Sequence, residues 1–135
     1  MADATGLSLD IAGLQVNGDG GRVLVSVPAL SVPAGALIGI EGPSGAGKST
    51  LLYAMAGLFE RARGQVRWGE TELLALSPEG RAAFRAAHIG MICQDFLLFD
   101  ELAADANAAI AALFRPGAER AAIRGRAAET LQALG

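Results

Sequence analysis

The chain has 135 residues, a net formal charge of −3 and a 52% hydrophobic fraction. That length suits one domain, and that apolar content excludes a disordered chain. The acidic balance excludes a nucleic-acid electrostatic footprint, and a single cysteine, Cys93, excludes a disulfide framework and fits a cytosolic chain.

The first residues, Met1-Ala2-Asp3-Ala4, carry an acidic side chain and no basic stretch, so no secretory leader is expected. Leu7, Leu9 and Ile11 alternate with Ser8 and Asp10, the period of a half-buried strand. Residues 17–21, Asn-Gly-Asp-Gly-Gly, make a turn, and residues 22–27 read as the hairpin partner. Residues 23–40 are uncharged and could imitate a membrane span, but Pro28, Pro33 and Gly35 break them into turns between short strands. A second turn falls at residues 33–35, and the apolar residues 36–41 read as a strand.

Gly42, Pro43, Ser44, Gly45, Ala46, Gly47, Lys48, Ser49 and Thr50 follow that strand and fit the pattern G-x-x-x-x-G-K-[ST]. This is a P-loop, which predicts binding of a nucleoside triphosphate with Mg²⁺. The glycines let the backbone curl, so that the amides of residues 45–50 form an anion nest at a helix N-terminus. Lys48 supplies a point charge to the β- and γ-phosphates, and Ser49 offers its hydroxyl to Mg²⁺. Lys48 is also the only lysine, among ten arginines.

Residues 48–56 read as a helix stopped by Gly57, and residues 64–68 as a short strand. Ser77-Pro78-Glu79 signals a helix start, with Ser77 as N-cap and Phe84 further along the helix. Residues 88–93 read as another apolar strand ending at Gln94. Ala-rich helical sequence follows to Phe114, Pro116-Gly117 breaks it, and residues 119–134 read as a last helix. Arg115, Arg120, Arg124 and Arg126 are expected on its solvated face, and Trp68 and Tyr53 are expected to pack rather than to touch ligand.

The segments V-P-A-G-A-L-I-G-I-E-G-P-S-G-A-G-K-S-T-L-L, A-G-L-F at residues 56–59, G-Q-V at residues 64–66 and H-I-G-M-I-C-Q-D-F-L-L-F-D-E-L at residues 88–102 resemble the ATP-binding cassette (ABC) ATPases, the motor subunits of ABC transporters. The run at residues 85–102 is most similar to exporters of the lipoprotein-release and macrolide-export type. Lys48 and Gln94, 46 residues apart, are the anchors. The resemblance implies an α/β P-loop NTPase fold of ABC type. It would hold an N-terminal antiparallel β-subdomain, part of a parallel-sheet core and the start of the helical subdomain. The expected division is residues 1–59 for the β-subdomain strands, P-loop and first helix, 60–94 for the strands and helix up to the Q-loop, and 95–135 for the start of the helical subdomain.

The resemblance also implies roles. Gln94 would reach Mg²⁺ and the attacking water, and would couple the site to a transmembrane permease subunit; its amide both donates and accepts. A second ATP-binding domain would pair head-to-tail with this one, on the inner face of the plasma membrane. ATP hydrolysis would then drive transport. Three features depart from the pattern. The L-S-G-G-Q signature, the Walker B strand with its glutamate and the switch histidine are absent from the 135 residues, so the chain is expected to carry about half of the domain and not to hydrolyse ATP unaided. Residues 14–17 offer no aromatic ring for adenine, leaving Val16 as the apolar candidate. Residues 96–101, Phe-Leu-Leu-Phe-Asp-Glu, themselves match a Walker B pattern, with Asp100 on Mg²⁺ and Glu101 on water. That alternative would make a small phosphotransferase; in the family reading Asp100 caps a helix instead. A third possibility is a nucleotide-binding fragment without enzymatic activity. His88, the one histidine, precedes Gln94 and is expected to be a surface or capping residue.

Overall fold

The computed structural model describes residues 6–95 and 97–135, and the chain divides into two compact units, Met1–Met91 and Ile92–Gly135. The first unit is built on a four-stranded sheet. β1 (Leu9–Asn17) pairs antiparallel with β2 (Val23–Val32) on one side and with β3 (Ala62–Trp68) on the other, and β3 pairs antiparallel with the short β4 (Thr71–Glu72). β2 is an edge strand, which is where Pro28, lacking an N–H, is tolerated. A 3₁₀ turn at Asp19–Gly21 joins β1 to β2 as the turn composition predicts.

β1 carries an irregularity that explains its sequence. Leu9 and Ile11 are buried in one phase, Leu14 and Val16 in the other. The register against β3 shifts between Ala12 and Gln15, so β1 holds one extra residue there. This bulge turns the strand by half a period and sends both pairs into one core. Opposite the bulge Gly64 sits at φ +96°, where a Cβ would fall on the Gly13 carbonyl. No side chain fits so close a crossing of two backbones.

Two helices cover the sheet's apolar face. α1 (Lys48–Met55) contributes Ala54, and α2 (Pro78–His88) contributes Phe84; both join Leu9, Ile11, Leu14, Val16, Val66 and Leu73 in a single cluster. α1 ends in a Schellman motif: the Gly57 amide donates to the Ala54 carbonyl at 2.9 Å and the Leu58 amide to the Tyr53 carbonyl at 3.0 Å. α2 begins as expected, with the Ser77 hydroxyl accepting from the Gly80 amide at 3.1 Å and Pro78 in the first turn. The second unit holds α3 (Ala104–Ala108), a 3₁₀ turn at Ile110–Phe114 and α4 (Gly117–Leu134). In α4 Ile123, Ala127 and Leu131 are half-buried at four-residue spacing, while Arg120, Arg124 and Arg126 are exposed.

Two expected strands are not formed. Residues 36–41 and 89–93 are without regular structure, and His88 belongs to α2 rather than to a strand. Among the described residues every strand pairing is antiparallel, so the expected portion of a parallel core is not built. Leu37 is 99% exposed and Ile92 fully exposed. An apolar run becomes a strand only when a neighbour takes up its backbone N–H and C=O groups. The uncharged residues 23–40 divide into β2 and a turn at residues 34–35. No described helix is long and apolar enough to cross a membrane.

Candidate functional site

Residues 42–50 lead from the unpaired segment into the first turn of α1. Ala46 closes a turn by donating its amide to the Pro43 carbonyl at 3.2 Å, and the Leu51 amide donates to the Gly47 carbonyl at 2.8 Å as the helix begins. Gly47 is the N-cap of α1 at φ +90°, so the amides that follow are the unbonded donors of a helix start. A Cβ at Gly47 would lie 2.8 Å from Val25 Cγ2 and 3.0 Å from the Leu24 carbonyl oxygen. The glycine therefore both takes a left-handed turn and lets the loop seat directly on β2.

Lys48 is the first residue of α1, and its side chain turns back over the loop. Its Nζ donates to the Gly42 and Pro43 carbonyls, each at 2.8 Å. The ammonium thus lies inside the curl of residues 42–47. Ser49 is exposed and Thr50 half-buried on the same first turn. This arrangement gathers a cation, helix-start amides and a hydroxyl in nine consecutive residues, a donor set with the chemistry to hold an anionic phosphate chain and its counter-cation. Among the described residues no cluster of three His, Cys, Asp or Glu side chains is assembled to hold a metal ion.

The far end of α1 is fixed by side chains from the rest of the unit. The Trp68 indole Nε1 donates to the Met55 carbonyl at 2.8 Å, and Arg85 Nη1 donates to the Gly57 carbonyl at 3.1 Å. Trp68 is a packing residue, as the sequence suggests. Arg85 has a role that sequence reading missed: a cation on α2 meets the carbonyl end of the P-loop helix, where the helix dipole is negative. Its only sequence signal is its place in the last turn of α2.

Gln94 belongs to the second unit, exposed at a bend. Phe96 lies outside the described residues, and Leu97, Leu98 and Phe99 are exposed and form no strand, which the Walker B pattern would need. Asp100 does not cap a helix: α3 starts four residues later with Ala103 as N-cap and no side-chain cap. The loop is held instead by Asn107, which accepts from the Phe99 amide at 2.8 Å and donates to the Phe99 and Leu102 carbonyls at 3.0 and 2.9 Å. His88 is exposed in the last turn of α2, with its ring 4.8 Å from that of Phe84. Val16 is fully buried in the core and so presents no surface to a base.

A loop of this sequence and shape at the start of a helix defines a P-loop protein, and comparison with known proteins gives the family. The profile of the family described as ABC transporter matches residues 26–135, so the chain belongs to the ABC transporter ATP-binding family. It is 35% identical, over 130 residues, to the macrolide export ATP-binding/permease protein MacB of Photorhabdus laumondii, covering 94% of this chain and 20% of that one. It is 40% identical over 106 residues to the uncharacterized ABC transporter ATP-binding protein YbbA of Escherichia coli K12, covering 78% of this chain and 46% of that one. It is 47% identical over 74 residues to the phosphonates import ATP-binding protein PhnC 1 of Rhodopseudomonas palustris, covering 55% of this chain and 27% of that one. The chain therefore spans less than half the length of each of these relatives.

Proposed function

We propose that residues 42–50 bind Mg²⁺–ATP and that the chain serves as the nucleotide-binding part of an ABC transporter motor. The observation that carries this reading is the Lys48 ammonium held inside the loop by the Gly42 and Pro43 carbonyls, at the start of α1. Phosphate oxygens would replace those carbonyls as its partners, with the amides of residues 45–50 around them. Ser49 would ligate Mg²⁺, joined by Gln94, which would also orient water. Bound Mg²⁺ would supply charge neutralisation to the phosphate chain.

The family and the relatives' names, which cover export and import, support ATP-driven transport with a permease; on this reading the chain would work at the inner face of the membrane and pair with a second ATP-binding domain. The 135 residues contain no L-S-G-G-Q segment, and residues 97–99 form no strand leading to Asp100 and Glu101. The expected behaviour is therefore binding without turnover. Titration of the purified chain with Mg²⁺–ATP in a calorimeter tests it: the wild-type chain binds, and Lys48→Ala weakens binding by about tenfold or more, the loss of one charged hydrogen-bond donor to phosphate. Equal affinity in the two proteins would refute the assignment.

A further inference from the structure

Resting on that reading, we propose that Arg85 of α2 is a positioning residue for the phosphate loop, acting on it from the opposite end of α1. α1 has eight residues, a length of about 12 Å. A helix that short is marginal by itself and keeps its place only through what holds it. Its apolar hold is slight: Ala54 is its one fully buried side chain, Leu51 and Met55 are half-buried, and Leu52 is exposed.

The two ends are therefore what fix it. At the N-terminal end Gly47 seats the loop against Val25 and the Leu24 carbonyl of β2. At the C-terminal end the chain turns at Gly57, which is buried, and the last carbonyls need partners there. Trp68 Nε1 donates to the Met55 carbonyl, and Arg85 Nη1 reaches the Ala56 and Gly57 carbonyls at 3.4 and 3.1 Å.

α2 divides two tasks between two arginines. Arg81 and Arg85 are four residues apart, both half-buried, with the buried Phe84 between them in sequence. Neither joins an ion pair among the described residues. Arg81 directs its donors to the Leu74 and Leu76 carbonyls at 2.6 and 3.1 Å, which fastens α2 to the turn after β4. Arg85 alone of the pair fastens α2 to α1. A guanidinium without a carboxylate partner keeps its full field on the helix end it meets. Its loss frees the carbonyls of Ala56 and Gly57 and lets that end of α1 shift. A shift of so short a helix displaces Lys48 and the loop amides at its other end, and small misplacements of binding groups are costly.

The test measures Mg²⁺–ATP affinity by calorimetry, with a thermal melt of each protein, for the wild-type chain, Arg85→Met, Arg85→Lys and Arg81→Met. Titrations are run well below the lowest melting temperature, so that every protein is folded. Arg85→Met is expected to weaken binding about three- to tenfold, and Arg85→Lys to restore most of it, because an ammonium also suits the carbonyl end of a helix. Arg81→Met is expected to lower the melt while leaving affinity within about twofold of wild type. If Arg85→Met does not fold, Arg85→Gln, which keeps an N–H donor and loses the charge, carries the same comparison. Wild-type affinity in the uncharged Arg85 variant, an equal loss in Arg81→Met, or a loss that Arg85→Lys does not recover overturns the inference while the loop assignment stands. A wild-type chain that does not bind Mg²⁺–ATP, or that binds it no better than Lys48→Ala, overturns the loop assignment and this inference with it.

Discussion

At the residue scale the loop depends on two properties that a local pattern can encode. Gly47 must adopt φ +90° and must present no side chain to Val25. Gly47→Ala violates both, and a loss of about 1–3 kcal/mol is expected, the range for a strained backbone position in a packed setting. Urea denaturation of the variant checks this; a loss under about 0.5 kcal/mol, the ordinary range for a surface substitution, would contradict the seating of the loop on β2. The glycine and lysine of the loop were legible because their chemistry is local. Val16 was not. Its place at the end of β1 suggested a surface for a base, but the bulge at Gly13 rotates it into the core. The signal was present, since Leu14 and Val16 fall one residue out of phase with Leu9 and Ile11, and a strand read without its partner hides that shift.

At the element scale the helix boundaries followed from their capping chemistry. Ser77 accepts from the Gly80 amide where the Ser-Pro-Glu signal placed it, and α1 closes at Gly57, whose amide donates to the Ala54 carbonyl while the Leu58 amide donates to the Tyr53 carbonyl. Ser77→Ala is expected to cost about 1 kcal/mol by freeing a helix-start amide, with Ser77→Asp restoring most of it; equilibrium unfolding of the two variants provides the comparison. Cap residues act on amides two or three positions away, so sequence spacing suffices to find them. Asn107 acts on a loop up to eight residues upstream of it, and nothing in its immediate neighbourhood announced that. Asp100 was the more obvious cap, yet α3 begins beyond its reach. Strands 36–41 and 88–93 failed for a related reason. Their composition is right, but a strand is a property of two segments, and the second is not supplied by the residues described.

At the scale of the whole molecule that difference leaves apolar surface in contact with water. Leu37 and Leu97 are more than three-quarters exposed, and Ile38, Leu98 and Phe99 more than half. Extended apolar backbone with open hydrogen-bonding groups is a template for self-association. The chain is expected to associate reversibly as its concentration rises, and Leu37→Glu to shift that association to higher concentration. Sedimentation velocity over a concentration series measures it; a monomer that persists for both proteins at every concentration would show that residues 36–41 are covered in solution. The sheet itself needs no such partner, because β1 lies between β2 and β3 and its inner face is closed by Ala54, Leu73 and Phe84.

The 135 residues contain one side-chain amine, and it is the ammonium held between Gly42 and Pro43. An acylating reagent that modifies lysine therefore has a single side-chain target, and that target lies in the candidate phosphate site. Its modification, followed by peptide mass, becomes a direct reporter of occupancy with no engineered label. Bound triphosphate would cover the amine and is expected to suppress the reaction. Equal labelling rates with and without Mg²⁺–ATP would separate Lys48 from the ligand.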